Sequence, residues 1–394
     1  MSNIPKLRFP EFSGEWEEKK LSDFMTRLTR KNSNNESSRA LTISSVDGLI
    51  DQGEFFKKQI ASKDTSGYYL LKKGDFAYNK SYSVGYDYGS IKRLDRYEDG
   101  VVSTLYICMT LTSDTNSDYL TQYFDSMKWN KSVSEISAEG ARNHGLLNIP
   151  TESFFQTKHF LAPTLAEQQK IADFLSNVDS IITAETKILN ILQKKKKALM
   201  QKLFTRQLCF KSDDGTDFPA WEEKKLGECV EILDSQRKPI ESKERANRKG
   251  IYPYYGASGI IDYIDDYLFE GESILLGEDG ANIINRNSRL AFIAKGKYWV
   301  NNHAHIMKAN ADNLNHFICE YLESLDYSKI CAGSAQPKLT QDVIRNLTIK
   351  APCKEEQQKI ADCLSSLDSL IQTQQKVVTT WQQRKKALLQ QMFI

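Results

Sequence analysis

The chain has 394 residues, 40% hydrophobic and 26% charged, a balance that excludes a disordered or fibrous protein and allows two or three packed cores. A formal charge of +2 and a pI near 8.0 exclude a globally basic coat, so any nucleic-acid surface must be a local patch. Seven scattered cysteines without a CxxC pair argue for reduced thiols and against structural zinc, and neither a signal-like start nor a membrane-length apolar run is present, so we expect a cytoplasmic protein without membrane association.

In chain order, Trp16-Glu17-Glu18-Lys19-Lys20-Leu21 opens a first half in which residues 40–45, 68–78 and 101–111 read as strands. These are β-branched and aromatic runs bounded by Gly, Asp and Asn. Between them lies Lys80-Ser81-Tyr82-Ser83-Val84-Gly85-Tyr86-Asp87-Tyr88-Gly89, where a cation, hydroxyls and tyrosines share a glycine-punctuated loop suited to phosphate contact. Residues 119–126 read as a short amphipathic helix. Arg142, Asn143 and His144 follow, an Arg for guanine and an Asn for adenine at a base edge. Pro163 then leads into Thr164-Leu165-Ala166-Glu167, a capping box at the start of a long helix.

The long helix covers residues 167–204, and its sequence returns at 356–393 without a gap. In each copy, a heptad seam runs along one face. The first holds Ile171, Leu175, Val178, Ile182, Leu189, Leu192 and Leu199, and the second Ile360, Leu364, Leu367, Ile371, Val378, Trp381 and Leu388. Polar members interrupt both seams at the same two slots, Glu185 with Gln374 and Lys196 with Lys385. Such helices can pair along their seams, and matched polar interruptions help to fix their register. The Lys194 to Lys197 run reads mainly as a solvated face.

The repeat extends beyond the helix. Trp221-Glu222-Glu223-Lys224-Lys225-Leu226 repeats the opening motif, and 317–324 echoes the amphipathic pattern of 119–126. Both halves therefore share a scaffold and differ in their interiors. In the second interior, 273–276 and 290–307 read as strands. Arg237 and Lys238 supply cations; Asn301, Asn302, His303, Ser334, Gln336 and Lys338 supply loop chemistry like that of Lys80, Ser81, Tyr82 and Tyr86 in the first. The boundaries expected are 1–162 for the first globule, 163–206 for the first long helix, 207–351 for the second globule with 207–220 as linker, and 352–394 for the second long helix.

No phosphate loop, dinucleotide turn, HExxH or nucleophile elbow is present, nor the tetrapeptide with which amino-methyltransferases hold a target amine. We expect no catalytic residues and no metal site. His303 and His305 lack a third ligand, and Glu278-Asp279 lacks the lysine and second carboxylate of a nuclease. A binding protein remains, either a DNA reader or a duplicated coiled-coil adaptor with two protein-binding heads.

Two unlike globules, each followed by an EQQKIA helix ending in KKALxQxxF, resemble the specificity subunit of type I restriction-modification enzymes, with Gly333-Ser334-Ala335-Gln336-Pro337-Lys338-Leu339 as a further matching motif. The resemblance implies an α+β chain of two α/β target recognition domains in pseudo-two-fold arrangement, joined by two long antiparallel coiled-coil helices. It implies that each domain reads half of a split sequence in double-stranded DNA. It also implies two methyltransferase (M) and two restriction (R) subunits as partners, which would hold S-adenosylmethionine, ATP and Mg, with no cofactor in this chain. The first half carries Gly140-Ala141-Arg142-Asn143-His144 where the second has the Gly-Ser-Ala-Gln-Pro-Lys motif, so the implication is weaker there.

Overall fold

The computed structural model describes residues 3–56, 62, 64–112, 114–137, 147–331 and 337–394. The chain forms two compact units, Met1–Glu185 with Val377–Ile394, and Thr186–Lys376. Each long helix therefore gives its first and last halves to different units.

In the first unit, the charged run Glu17–Lys20 is a strand, paired antiparallel with Lys158–Leu161 just ahead of the long helix. Its own side chains stay largely in water. Trp16 and Leu21, which bracket it, are buried and fasten the pair to the core. Beyond it, four antiparallel strands run in the order Met25–Arg27, Ile107–Leu111, Phe76–Asn79, Ser90–Arg93. Leu41–Ser44 pairs with Gly48–Asp51, and Tyr69–Lys72 with Asp99–Val102. The apolar stretch at 68–78 is thus two strands rather than one. Gly74 at φ 92° turns the chain, and Asp75 accepts a hydrogen bond from the N–H of Lys72 at 2.8 Å. The stretch at 101–111 is likewise two strands.

The second unit repeats the edge pair, Glu222–Lys225 with Thr348–Ala351, but its interior is a six-stranded sheet. The order is Val230–Ile232, Ala304–Ala309, Phe269–Gly277, Ala291–Val300, Lys249–Gly256, Gly259–Ile264. Neighbours are antiparallel except Lys249–Gly256 beside Ala291–Val300. The run at 290–307 is therefore two strands with a tight turn at Asn301-Asn302-His303. The short amphipathic helices expected from the repeat are present as Ser117–Asp125 and Asn315–Ser324.

The long helices are Leu165–Phe204 and Lys354–Met392. Every seam position of either helix is buried or half-buried, while Lys194, Lys195 and Lys197 are exposed. In the first unit, Ile171 and Leu175 share a core with Leu389, Met392 and Phe393, so the start of one helix lies beside the end of the other. In the second unit, Met200 and Leu203 share a core with Ile360 and Leu364. The pair is antiparallel in both. Among the described residues, no helix is long and apolar enough to cross a membrane.

The repeated EQQKIA motif has a physical reading in these cores. Glu167, 1% exposed, accepts from Arg8 at 2.7 and 2.8 Å and from the Trp16 indole at 3.2 Å. Glu356, also 1% exposed, accepts from Arg206 at 2.8 Å and the Trp221 indole at 2.9 Å. The capping box at Thr164 is therefore half formed: its hydroxyl accepts from the Glu167 N–H at 3.2 Å, but the Glu167 carboxylate is drawn to the buried Arg and Trp instead. The next residue ties the helix start to the globule. Gln168 accepts from the Asn116 N–H and donates to the Ala162 carbonyl, as Gln357 does with Leu314 and Pro352.

The phenylalanines ending the repeats complete the pattern. Phe393 packs its ring 6.0 Å from Trp16, 5.4 Å from Tyr119 and 5.8 Å from Tyr123. Phe204 lies 6.4 Å from Trp221, 5.8 Å from Phe317 and 5.1 Å from Tyr321. Each tryptophan thus bonds to the start of one long helix and packs on the end of the other. Only antiparallel helices meet that condition.

Candidate nucleic-acid interface

In the second unit, three loops that are far apart in sequence meet at one end of the sheet. Lys338 bridges Asp279 in strand-like pairing, and the Leu339 N–H donates to the Glu278 carbonyl at 2.8 Å. The Glu278 N–H donates in turn to the His303 carbonyl at 2.8 Å. The acidic Glu278-Asp279 turn is therefore a brace between the His303 and Lys338 loops. Its carboxylates are occupied: Glu278 faces Arg237 at 2.9 Å and Lys338 at 3.3 Å, and Asp279 faces His303 at 2.9 Å.

The expected contact residues here divide by exposure. Asn302, His303, Lys238 and Lys338 are exposed, so their polar atoms can meet a ligand. Asn301 is buried and uses its Oδ1 to accept from the His303 N–H at 2.8 Å, holding the turn that presents its neighbours. Arg237 is also committed. It donates to Glu278, to the Ala304 carbonyl at 2.7 Å and to the Asp234 carbonyl at 3.1 Å. Lys238 projects from a backbone anchored by the Trp299 indole, which donates to its carbonyl at 2.6 Å.

Beside this end lies an open groove of about 640 Å³ lined by Ser242, Lys243, Arg245, Tyr254, Asn302 and His303 among others. Arg245 and Lys243 give this groove two cations. Arg245 is fixed by the Ile240 carbonyl at 2.6 Å and the Tyr254 ring at 4.9 Å. The Ile240 contact is local, five residues upstream, whereas Tyr254 is brought to it on the strand Lys249–Gly256.

His303 and His305 do not form a metal pair. His305 is buried between the Asp234 carboxylate, 2.5 Å from Nδ1, and the Leu339 carbonyl, 2.8 Å from Nε2. Burial opposes the charge on Asp234, yet the His305 bond, the Ile306 N–H and Arg237 together hold its carboxyl below the ordinary value. Among the described residues, no group of three or more His, Cys, Asp or Glu could hold a metal.

In the first unit, the loop between Phe76–Asn79 and Ser90–Arg93 carries the expected residues. Gly89, at φ 78°, would place a Cβ only 2.0 Å from the Asn79 carbonyl oxygen, so only glycine lets the loop ends approach. Inside the loop, the Tyr86 N–H donates to the Ser83 carbonyl at 2.8 Å, and the Ser83 hydroxyl sits 3.0 Å from that of Ser45. This small turn leaves Tyr82 exposed. Tyr86 is half-buried, with Lys92 over its ring at 6.0 Å. Ser81 is half-buried, and its N–H donates to Asn79. Lys80 is half-buried too, and burial pushes its ammonium pKa down. Arg142, Asn143, His144, Ser334 and Gln336 lie outside the described residues.

A family model described as the type I restriction modification DNA specificity domain matches residues 220–380. A putative type I restriction enzyme specificity subunit of Haemophilus influenzae is 35% identical over 148 residues, 37% of either chain. The putative MjaX and the MjaVIII specificity subunits of Methanocaldococcus jannaschii are each 24% identical, across 98% and 97% of this chain and 95% and 92% of theirs. The crystal structure of the type I restriction-modification S subunit from M. genitalium shares the fold, with TM-score 0.61 and 14% identity over 99% of each chain. A chain from a study of complex assembly in the type I R-M system superposes with TM-score 0.52 and 16% identity, covering 97% of this chain and 98% of that one. Residues 220–380 thus match a type I restriction modification DNA specificity domain, and along nearly its whole length the chain is similar to specificity subunits of type I restriction enzymes.

Proposed function

We propose that this chain reads a bipartite target in double-stranded DNA, one part through each unit, while its paired helices set the gap and carry two methyltransferase subunits. The observation that supports this reading is the doubled anchor. Two different interiors are mounted on the same tryptophan, glutamate and phenylalanine, an arrangement suited to exchanging what is read without disturbing the mount. Reading would fall to Lys80, Ser81, Tyr82, Tyr86, Arg142, Asn143 and His144 in the first half. In the second it would fall to Lys238, Asn302, His303, Ser334, Gln336 and Lys338, with Arg237 and Asn301 bracing them. Phosphate contacts would hold the complex in a salt-sensitive way, and base-edge contacts would sort sequences.

The chain itself does no chemistry in this account. Adenine-N6 methylation with S-adenosylmethionine, and restriction with ATP and Mg by two R subunits, would belong to partners acting in the cytoplasm. Target adenines would be flipped into the methyltransferase pockets. Phe174, Ile181, Trp381 and Leu388 line an apolar groove on the helix pair within the first unit, chemistry that suits a docked protein subunit.

The test is DNA binding and methylation by the complete complex with Lys338→Ala and Asn302→Ala. Lys338→Ala should weaken binding on all sequences and cut the slope of log K against log salt by about 1. Asn302→Ala should relax the preference at one base by about 1 to 3 kcal/mol with the slope unchanged. Unaltered binding and methylation in both would refute the site.

A further inference from the structure

In each unit, a lysine that interrupts the seam of one long helix reaches an aspartate on the other. Lys385 Nζ lies 2.6 Å from Asp179 in the first unit, and Lys196 Nζ lies 2.7 Å from both oxygens of Asp368 in the second. The two lysines occupy one slot of the repeat, and the two aspartates another.

Each pair is also held by its globule. Asp179 accepts from Gln122 Nε2 at 2.9 Å, and Lys385 faces Asp125 at 3.9 Å, itself paired with Lys92 at 2.6 Å. In the second unit, Lys196 meets Glu320 at 2.8 Å, and Arg289 pairs with both Glu320 and Asp368. Gln122 and Asp125 lie on Ser117–Asp125, and Glu320 on Asn315–Ser324, helices at equivalent places in the two halves. One lysine per unit therefore joins three elements: both long helices and the globule.

An apolar seam by itself selects register poorly, because Leu, Ile and Val at heptad spacing pack again after a slip of one heptad. A lysine in the seam forbids the slip, since elsewhere it would be buried without an acceptor. At 1.5 Å per residue, such a slip moves a globule about 10 Å along the helix, roughly three base pairs of duplex. Stability does not require these pairs, because a well-packed apolar pair in a buried ion pair's place is commonly as stable. Their recurrence in two otherwise unlike interiors calls for another role.

We propose that Lys385 with Asp179, and Lys196 with Asp368, are positioning pairs that fix the number of unread base pairs accepted between the two parts of the target. This rests on the bipartite reading above. They act by holding each globule at one place along the helix pair.

The test uses the complete complex and duplexes carrying its target with the native gap and with one to three base pairs added or removed. The wild type should prefer the native gap by about 100-fold, the scale of a misplacement near 1 Å. In K385M/D179L/K196M/D368L, which removes both pairs and leaves Glu320 with Arg289 and Asp125 with Lys92, that preference should fall below about tenfold without a lower melting temperature. K385R should keep the preference. A folded quadruple variant with the wild-type preference, or a folded K385R that loses it, would overturn the proposal. A wild-type complex that methylates one continuous target would instead overturn the bipartite reading, and this inference with it.

Discussion

Replacing Glu167 by alanine tests the anchor on which both units are built. The carboxylate is 1% exposed and holds Arg8, whose side chain is 9% exposed, through two bonds, together with the Trp16 indole. Its removal leaves the Arg8 guanidinium with the Gly14 and Ser13 carbonyls but no counter-charge, which costs about 3 to 5 kcal/mol. Glu356→Ala removes the equivalent group, but Arg206 is 35% exposed and water can take over part of its solvation. The cost there should be nearer 1 to 2 kcal/mol, the lost indole bond included. For a unit of about 200 residues, with a urea m-value near 3 kcal/mol/M, the first substitution should lower the unfolding midpoint by about 1 to 1.5 M and the second by about 0.5 M. Tryptophan fluorescence against urea measures both, since Trp16 and Trp221 sit at the two sites. Equal midpoints for the two variants, or a larger loss in Glu356→Ala, would refute the assignment of cost to the stranded arginine.

Gly89→Ala should cost about 2 kcal/mol or more, because its Cβ would meet the Asn79 carbonyl and its φ is positive, whereas Gly85→Ala, with open space around it, should cost only about 1 kcal/mol; urea midpoints that rank them the other way would contradict the loop geometry. His159 is buried with Nδ1 accepting from the Tyr123 hydroxyl and Nε2 donating to Thr157, and burial pushes its pKa down to about 3. The unfolded chain takes up this proton near 6.5 and the folded chain only near 3, so stability is complete above about 6.5 and declines as pH falls through that window. The decline should reach about 1.4 kcal/mol per pH unit and be absent from that share in His159→Gln. Parallel urea midpoints for the two proteins between pH 7 and 5 would exclude it.

The long helices were legible in the sequence because seam and repeat are local patterns, and every seam position is buried or half-buried. The short helices at Ser117–Asp125 and Asn315–Ser324 were legible for the same reason. Glu17–Lys20 and Glu222–Lys225 were not, because a strand of four charged residues carries no apolar alternation and is fixed by Trp16, Leu21 and Leu226 around it. The hairpin Lys249–Gly256 with Gly259–Ile264 was missed as well, its turn being the only local signal. At the candidate interface, exposed Asn302, Lys238 and Lys338 stand where loop chemistry suggested. Asn301 makes a local turn with the N–H two residues on, but the committed role of Arg237 depends on Glu278 and Ala304, 41 and 67 residues away, which no spacing rule connects. Likewise, Lys196 reads as a seam interruption in one dimension and as half of an ion pair in three.

Sequencing methylated adenines in cells with and without this chain tests the central claim most directly. A single motif of two short specified parts at one fixed gap is expected, present only when the chain is present. A motif that persists without the chain, or a continuous one lacking an unread gap, would contradict it.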